Sequence, residues 1–193
     1  MSTIVERSGR PEPEAVDDIV RTLTRDYGER AVVNRAIREQ HGHGEGMADS
    51  GLPDVVVYPH SNEEVAAIVR QCHVARIPVI AFGVGTSLEG HVAAIYGGVC
   101  VDLTRMDRML EVNAEDLDCR VQAGVTREQL NAELKGTGLF FPIDPGANAT
   151  IGAVNPDAST SARVASTHSV NLEIGTHASV ANACLPGDSA SAA

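Results

Sequence analysis

The sequence predicts an α+β fold: a small parallel β-sheet subdomain flanked by helices, joined to an incomplete second subdomain with antiparallel strands. Two observations carry this expectation. Between residues 54 and 103, a β-branched run, a capped amphipathic helix and a second apolar run succeed one another, the order of a parallel crossover. Between residues 109 and 122, two short strand-like runs flank a polar turn, the order of a hairpin. With 193 residues, 43% of them hydrophobic, the chain can bury a core.

Val16, Ile19, Val20 and Leu23 recur at helical spacing after Pro11-Glu-Pro-Glu14, which predicts a first amphipathic helix. A second is expected over residues 30–40. Asp54-Val-Val-Val-Tyr58 reads as a strand ended by Pro59-His60-Ser61, and Ser61 with Glu64 three residues on forms a capping box. In the helix that follows, Val65, Ile68, Val69 and Cys72 fall at i, i+3, i+4 and i+7, and Pro78 leads into the strand Val79–Phe82. A helix of this length joins parallel strands, so Val55–Tyr58 and Val79–Phe82 are expected to be parallel neighbours. Gly98–Leu103 reads as a third strand, and Met109–Val112 with Asp118–Gln122 as a hairpin across Asn113–Asp116. Thr126 and Gln129 cap another helix, Val125 is placed to staple onto Leu130, and Gly136-Thr-Gly138 ends it.

The balance of charges excludes some functions. A net charge of -11 opposes broad nucleic-acid or anionic-membrane contact, which draws on clustered Lys and Arg. The opening residues hold no apolar core of signal-peptide length, and no later window approaches the ~18 apolar residues of a membrane span. A cytoplasmic location is the expectation. Cys72, Cys100, Cys119 and Cys184 form no CxxC pair, and Cys72 and Cys100 sit in apolar runs that suggest burial. His41-Gly-His43-Gly-Glu45-Gly46 could offer two imidazoles and a carboxylate to a metal, but its three glycines favour a flexible loop.

At the carboxyl end of Val79–Phe82 comes Gly83-Val-Gly-Thr-Ser-Leu-Glu-Gly90. Gly83 and Gly85 permit positive φ and leave amides unobstructed, so Val84 to Ser87 could form a nest for an anion, with hydroxyls from Thr86 and Ser87. No Gly-Lys-Ser/Thr follows, as a P-loop needs, and Leu88 stands where GxGxxG requires glycine. A plain turn between strands remains the other reading. Further on, Pro142 and Pro145 fix φ around Asp144, Gly146 allows close backbone approach, and Ala147 to Gly152 could present amides without bulky side chains.

In this order the two stretches resemble the FAD-binding domain of the vanillyl-alcohol-oxidase-type (PCMH-type) flavoproteins, especially the FAD-linked D-lactate dehydrogenases and the glycolate oxidase FAD subunit. The glycine loop matches through Pro78, Gly83, Gly85, Thr86, Ser87 and Gly90, and the second motif through Asp144, Pro145, Gly146, Ala147, Ile151 and Gly152. Pro53-Asp-Val-Val-Val-Tyr-Pro59 and Glu63-Glu-Val65 match the lead-in. The resemblance implies that FAD is the cofactor. It implies contacts from Ala81, Phe82, Gly83, Val84, Gly85, Thr86, Ser87, Leu88 and Gly90, and from Pro142, Asp144, Pro145, Gly146, Ala147, Ile151 and Gly152. It implies further the oxidation of a D-2-hydroxy acid by hydride transfer to flavin, with electrons passed to a quinone, cytochrome or other acceptor. Some relatives tether FAD to a histidine in the glycine loop; this loop has none before His91, so noncovalent FAD is expected. No catalytic base is assigned.

On this reading residues 1–48 are an N-terminal helical segment, 49–152 a partial FAD-binding domain, and 153–193 a divergent, disordered tail. Ala153 stands where the family has a second glycine, and Val170–His177 lacks the family's Arg-Tyr-Gly. The chain is thus expected to be a truncated or frameshifted flavoprotein without a substrate-capping domain. A noncatalytic FAD- or nucleotide-binding module and a nonfunctional remnant are the alternatives.

Overall fold

The computed structural model describes residues 9–42, 51–86, 90–143, 147–154, 161–163 and 165–166. Helix α1 (Pro13–Tyr27) begins with proline, whose missing N–H has no partner to lose in a first turn, and directs Val16, Ile19 and Leu23 inward. A single helix over residues 30–40 does not form. A 3₁₀ turn at Gly28–Arg30 leads to a two-residue strand, β1 (Ala31–Val32), before helix α2 (Arg35–Gly42). Two local causes displace the start. Ala31 and Val32 pair antiparallel with Val57 and Val56, and the Asn34 side chain accepts a hydrogen bond from the Ala36 amide at 2.9 Å, which caps the helix there.

Strand β2 (Val55–Val57) is followed by α3 (Asn62–Ala75), whose entry is fixed by Ser61 Oγ accepting from the Glu64 amide at 3.3 Å. Strands β3 (Val79–Phe82) and β4 (Val99–Asp102) complete a sheet of order β1-β2-β4-β3. Here the expectation of adjacent β2 and β3 is corrected. Both run parallel to β4, which lies between them. The crossover rule sets direction, not adjacency, and burial decides the centre. Every residue of β4 is buried, whereas β3 leaves Val79 39% exposed and takes the edge.

One core gathers Leu23 of α1, Val55 and Val57 of β2, Ile68 and Cys72 of α3, and Val99 of β4. Each fully buried aliphatic side chain in it contributes about 1.5–3 kcal/mol relative to exposure. The first helix therefore shares its core with the sheet.

The second subdomain opens with the hairpin β5 (Met109–Asn113) and β6 (Asp118–Val121), then α4 (Arg127–Leu134) with Thr126 Oγ1 accepting from the Gln129 amide at 3.2 Å. Strand β7 (Leu139–Phe140), a short helix α5 (Ile151–Val154), and strands β8 (Ser161–Arg163) and β9 (Ala165–Ser166) follow. Pairing is antiparallel throughout, β5-β6-β8 and β7-β9. Val121, Val125, Leu130, Leu134, Leu139, Phe141 and Ile151 form its core, so Val125 and Leu130 share one cluster as the staple requires.

Disorder was expected from residue 153 onward, yet 161–163 and 165–166 are strands. Their own sequence has no alternating pattern; the order comes from the edges that β6 and β7 offer for pairing. Ala153 and Val154 end α5, and the rest of the tail lies outside the described residues, as do His43, Glu45 and Gly46. At the junction of the subdomains the buried Gln122 donates to the His60 carbonyl at 3.4 Å and accepts from the Arg108 amide at 3.1 Å.

Candidate functional site: a cleft between the two sheets

Strands β2, β4 and β3 are parallel, so their carboxyl ends lie on one side of the sheet, the side on which open α/β sheets hold ligands. Ala81 and Phe82 of β3 and Gly83 just after it form one wall of a cleft of about 340 Å³, and Leu103, just past β4, adds to it. Ala123, Thr150 and Gly152 line it from the second subdomain, and His91 also borders it. At that volume the cleft is near the small end of the roughly 300–1,000 Å³ spanned by ligand pockets. It has room for part of a dinucleotide.

Each wall is built around a glycine. Gly85 has φ +75°, and a methyl group on it would stand 2.9 Å from Phe82 Cζ. Only glycine allows the chain to fold back over this ring. On the opposite wall the Ile151 amide donates to the Val125 carbonyl at 2.8 Å, that of Gly152 to the Ala123 carbonyl at 2.9 Å, and that of Arg127 to the Ala149 carbonyl at 3.0 Å. These bonds strap the second motif to the turn after β6. Thr150 is 1% exposed. His91 and Thr150 are the polar side chains among residues that are otherwise glycine or apolar. Such walls suit a ligand held by backbone approach and apolar contact, which is what the diphosphate and rings of a dinucleotide need.

Of the residues expected to touch cofactor, Ala81, Phe82, Gly83 and Gly152 line the cleft. Val84, Gly85 and Thr86 continue the turn from its first wall, and Gly90 has φ +73°. Pro142 and Ala147 are half-buried near the second motif, outside the cleft lining. Ile151 is 2% exposed and packs in the second core. Ser87, Leu88, Asp144, Pro145 and Gly146 lie outside the described residues. The motifs, distant in sequence, thus meet across one cleft. Leu103, His91, Ala123 and Thr150 escaped sequence reasoning. Leu103 could have been found from its place at a parallel strand end, and His91 from its place one residue after the loop.

Beneath the first wall is a buried polar pair. His41 was read as part of a flexible loop or a metal cluster; it is instead buried in the last turn of α2. Its Nδ1 lies 2.8 Å from the Ile37 carbonyl oxygen and its Nε2 2.8 Å from Asp102 Oδ2. Asp102 Oδ1 accepts from the amide and hydroxyl of Thr104 at 2.8 and 2.6 Å. The imidazole packs on Phe82, with ring centroids 4.4 Å apart. Burial opposes its charge, but the Asp102 hydrogen bond, the Ile37 hydrogen bond and the Asp102 charge outweigh that, so its pKa is raised above the ordinary histidine value.

Cys72, Cys100 and Cys119 are buried. Burial pushes the Cys72 thiol up to about 11 and that of Cys100 higher still, so neither is a thiolate nucleophile at neutral pH. Among the described residues no cluster of three His, Cys, Asp or Glu side chains is placed to hold a metal, and no helix is long and apolar enough to cross a membrane.

Comparison with known proteins agrees with this architecture. Residues 53–170 match the family model described as FAD binding domain. The chain is 47% identical over 138 residues to "Probable D-lactate dehydrogenase, mitochondrial" of Danio rerio, covering 71% of this chain and 28% of that protein. It is 40% identical over 132 residues to "D-lactate dehydrogenase [cytochrome], mitochondrial" of Arabidopsis thaliana, covering 68% and 22%. The chain therefore spans less than a third of the length of these relatives. Among solved structures, p-cresol methylhydroxylase with substrate bound superposes with a TM-score of 0.63 at 15% identity, over 77% of this chain and 31% of that one, which establishes a shared fold. Both walls of the cleft fall within the residues that the family model matches, on a fold shared with p-cresol methylhydroxylase, and the chain belongs to the FAD binding domain family.

Proposed function

We propose that this chain supplies the FAD-binding part of an oxidoreductase that converts a D-2-hydroxy acid to the 2-oxo acid. The observation that carries the reading is the meeting of Ala81, Phe82 and Gly83 with Gly152 across one cleft. Bound FAD supplies the two-electron acceptor for the hydride leaving the hydroxyl-bearing carbon. The Gly83–Thr86 turn and the Thr150–Gly152 segment bind and orient the cofactor's diphosphate, while Leu103 and Ala123 exclude water from its edge. The resemblance of the two motifs adds Ser87, Asp144, Pro145 and Gly146 to the residues assigned to the cofactor. The names of the two relatives support D-lactate as the first substrate to try and a cytochrome as the first acceptor. Both relatives are mitochondrial by name, so the cytoplasmic expectation is set against a mitochondrial one, and fractionation of cells decides between them.

The cleft lining also supports a second reading, a cofactor-binding module that needs other surfaces for catalysis. Its polar side chains are one hydroxyl, Thr150, and one imidazole, His91. Hydride transfer needs the substrate carbon held at near-attack distance, and losing that positioning forfeits several kcal/mol of barrier lowering. The chain alone is therefore expected to bind FAD weakly and to turn over D-2-hydroxy acids negligibly. Anaerobic mixing of the FAD-loaded chain with D-lactate, glycolate and D-2-hydroxyglutarate, followed by flavin absorbance, separates the two readings. Rapid bleaching would show a complete active site in this chain; binding without bleaching supports the module.

A further inference from the structure

We propose that the buried His41–Asp102 pair positions the Gly83–Thr86 turn for the cofactor's diphosphate, acting through the ring of Phe82. This rests on the FAD reading above and adds residues to it that lie on α2 and β4, remote in sequence from both motifs.

The contacts form a continuous chain. The imidazole is pinned at both nitrogens, by the Ile37 carbonyl on its own helix and by Asp102 on the central strand, each at 2.8 Å. Asp102 is itself held by the two Thr104 hydrogen bonds. The pinned ring lies against Phe82, at 4.4 Å between centroids and 42° between planes. Phe82 in turn lies beneath Gly85, which has no room for a Cβ over the ring, and its own carbonyl accepts from Leu103 at 3.0 Å. A ring so placed sets the height at which the turn crosses it.

The protonation state follows from the partners. A carbonyl and a carboxylate only accept, so both contacts are hydrogen bonds when both ring nitrogens donate, as in the imidazolium that the raised pKa of His41 favours. Removing one proton turns a lone pair toward Ile37 O or toward Asp102, and the ring loses one of its two anchors. The other titratable groups near the pair do not ionise near neutrality. Tyr58, whose hydroxyl lies 3.5 Å from His41 Nε2, has its pKa raised by burial and by Asp102, and Cys100 has its thiol raised by burial and by Asp102. The Arg105 guanidinium stacks on the Tyr58 ring at 4.4 Å. His41 is therefore the group whose loss of a proton would loosen the turn.

The test uses the full chain and two readouts. In the ligand-free, ¹⁵N-labelled protein, both His41 nitrogens are expected to be protonated at pH 6, and the Gly83 and Gly85 amide shifts to titrate together with the imidazole. In calorimetry, FAD affinity is expected to fall about tenfold, roughly one factor per 1.4 kcal/mol, as pH rises through the His41 midpoint. Asp102→Asn should move both midpoints to lower pH, and His41→Phe should abolish the pH dependence. Should His41→Phe fail to fold, Asp102→Asn and the wild-type titration decide alone. A neutral imidazole at pH 6, or glycine amides that ignore the His41 titration, would overturn the proposal. Absence of FAD binding by the wild-type chain at every pH would overturn the FAD reading instead, and the amide titration would still decide whether His41 governs the turn.

Discussion

The Gly152 amide donates to the Ala123 carbonyl at 2.9 Å, and a methyl group on Gly152 would stand 2.9 Å from the Ala123 Cβ. One wall of the cleft is thus two backbones in direct contact, with no space for a side chain. Gly152→Val should separate them. Overpacking of this kind costs about 1–3 kcal/mol, so the variant should unfold at lower denaturant and lose FAD affinity by about tenfold or more. Chemical denaturation together with calorimetry checks both.

Gly85→Val should weaken binding far more than Cys100→Ala. At φ +75° a β-branched residue meets a strain of roughly 1–2 kcal/mol in addition to the Phe82 ring, and it hides the amides of the turn. Cys100 is buried in β4 away from the turn, so its truncation should lower stability and leave affinity near wild type. Equal losses of affinity in calorimetry would count against an anion-binding role for the turn.

Acid should weaken the first subdomain through one ion pair. The Arg30 guanidinium bonds both Glu64 oxygens, at 2.6 and 2.9 Å, and the His60 amide donates to the same carboxylate at 2.7 Å. Arg30 first, and the His60 amide after it, hold the Glu64 pKa down at about 2 against the opposing effect of burial. Because the folded pKa lies below the unfolded one, this stabilisation is full above about pH 4.5 and is lost as pH falls toward 2. Both partners are partly solvated, so the contribution is about 1–2 kcal/mol. Thermal melts between pH 7 and pH 2.5 should show a smaller acid-induced drop in Arg30→Met than in the wild type.

Leu130→Ala removes a fully buried side chain from the second core and should cost about 2–5 kcal/mol. If that core supports the cleft, FAD affinity should fall along with the midpoint of urea unfolding; an unchanged midpoint would refute the packing described.

Much of this was legible in the sequence because the signals were local. Ser61 and Thr126 cap helices through the hydrogen bonds their spacing implies, and Val79–Phe82 is a strand between the expected ends. What escaped notice depended on partners distant in sequence. The two-residue β1 exists because β2 offers an edge, and β8 because β6 does. The central place of β4 reflects burial on both faces, which a four-residue apolar run does not distinguish from an edge strand such as β3. At the site, the glycines were legible as glycines, but the other wall of the cleft required the fold. His41 beside three glycines looked like loop; its partner Asp102 is 61 residues away.

Titration of the purified chain with FAD, monitored by calorimetry and by the visible flavin spectrum with ADP as competitor, tests most directly whether the cleft holds the cofactor. Saturable binding at one site is expected, with a perturbed flavin spectrum, displacement by ADP, and loss of affinity in both Gly85→Val and Gly152→Val. A folded wild-type chain that produces no binding heat and leaves the flavin spectrum unchanged would contradict the assignment.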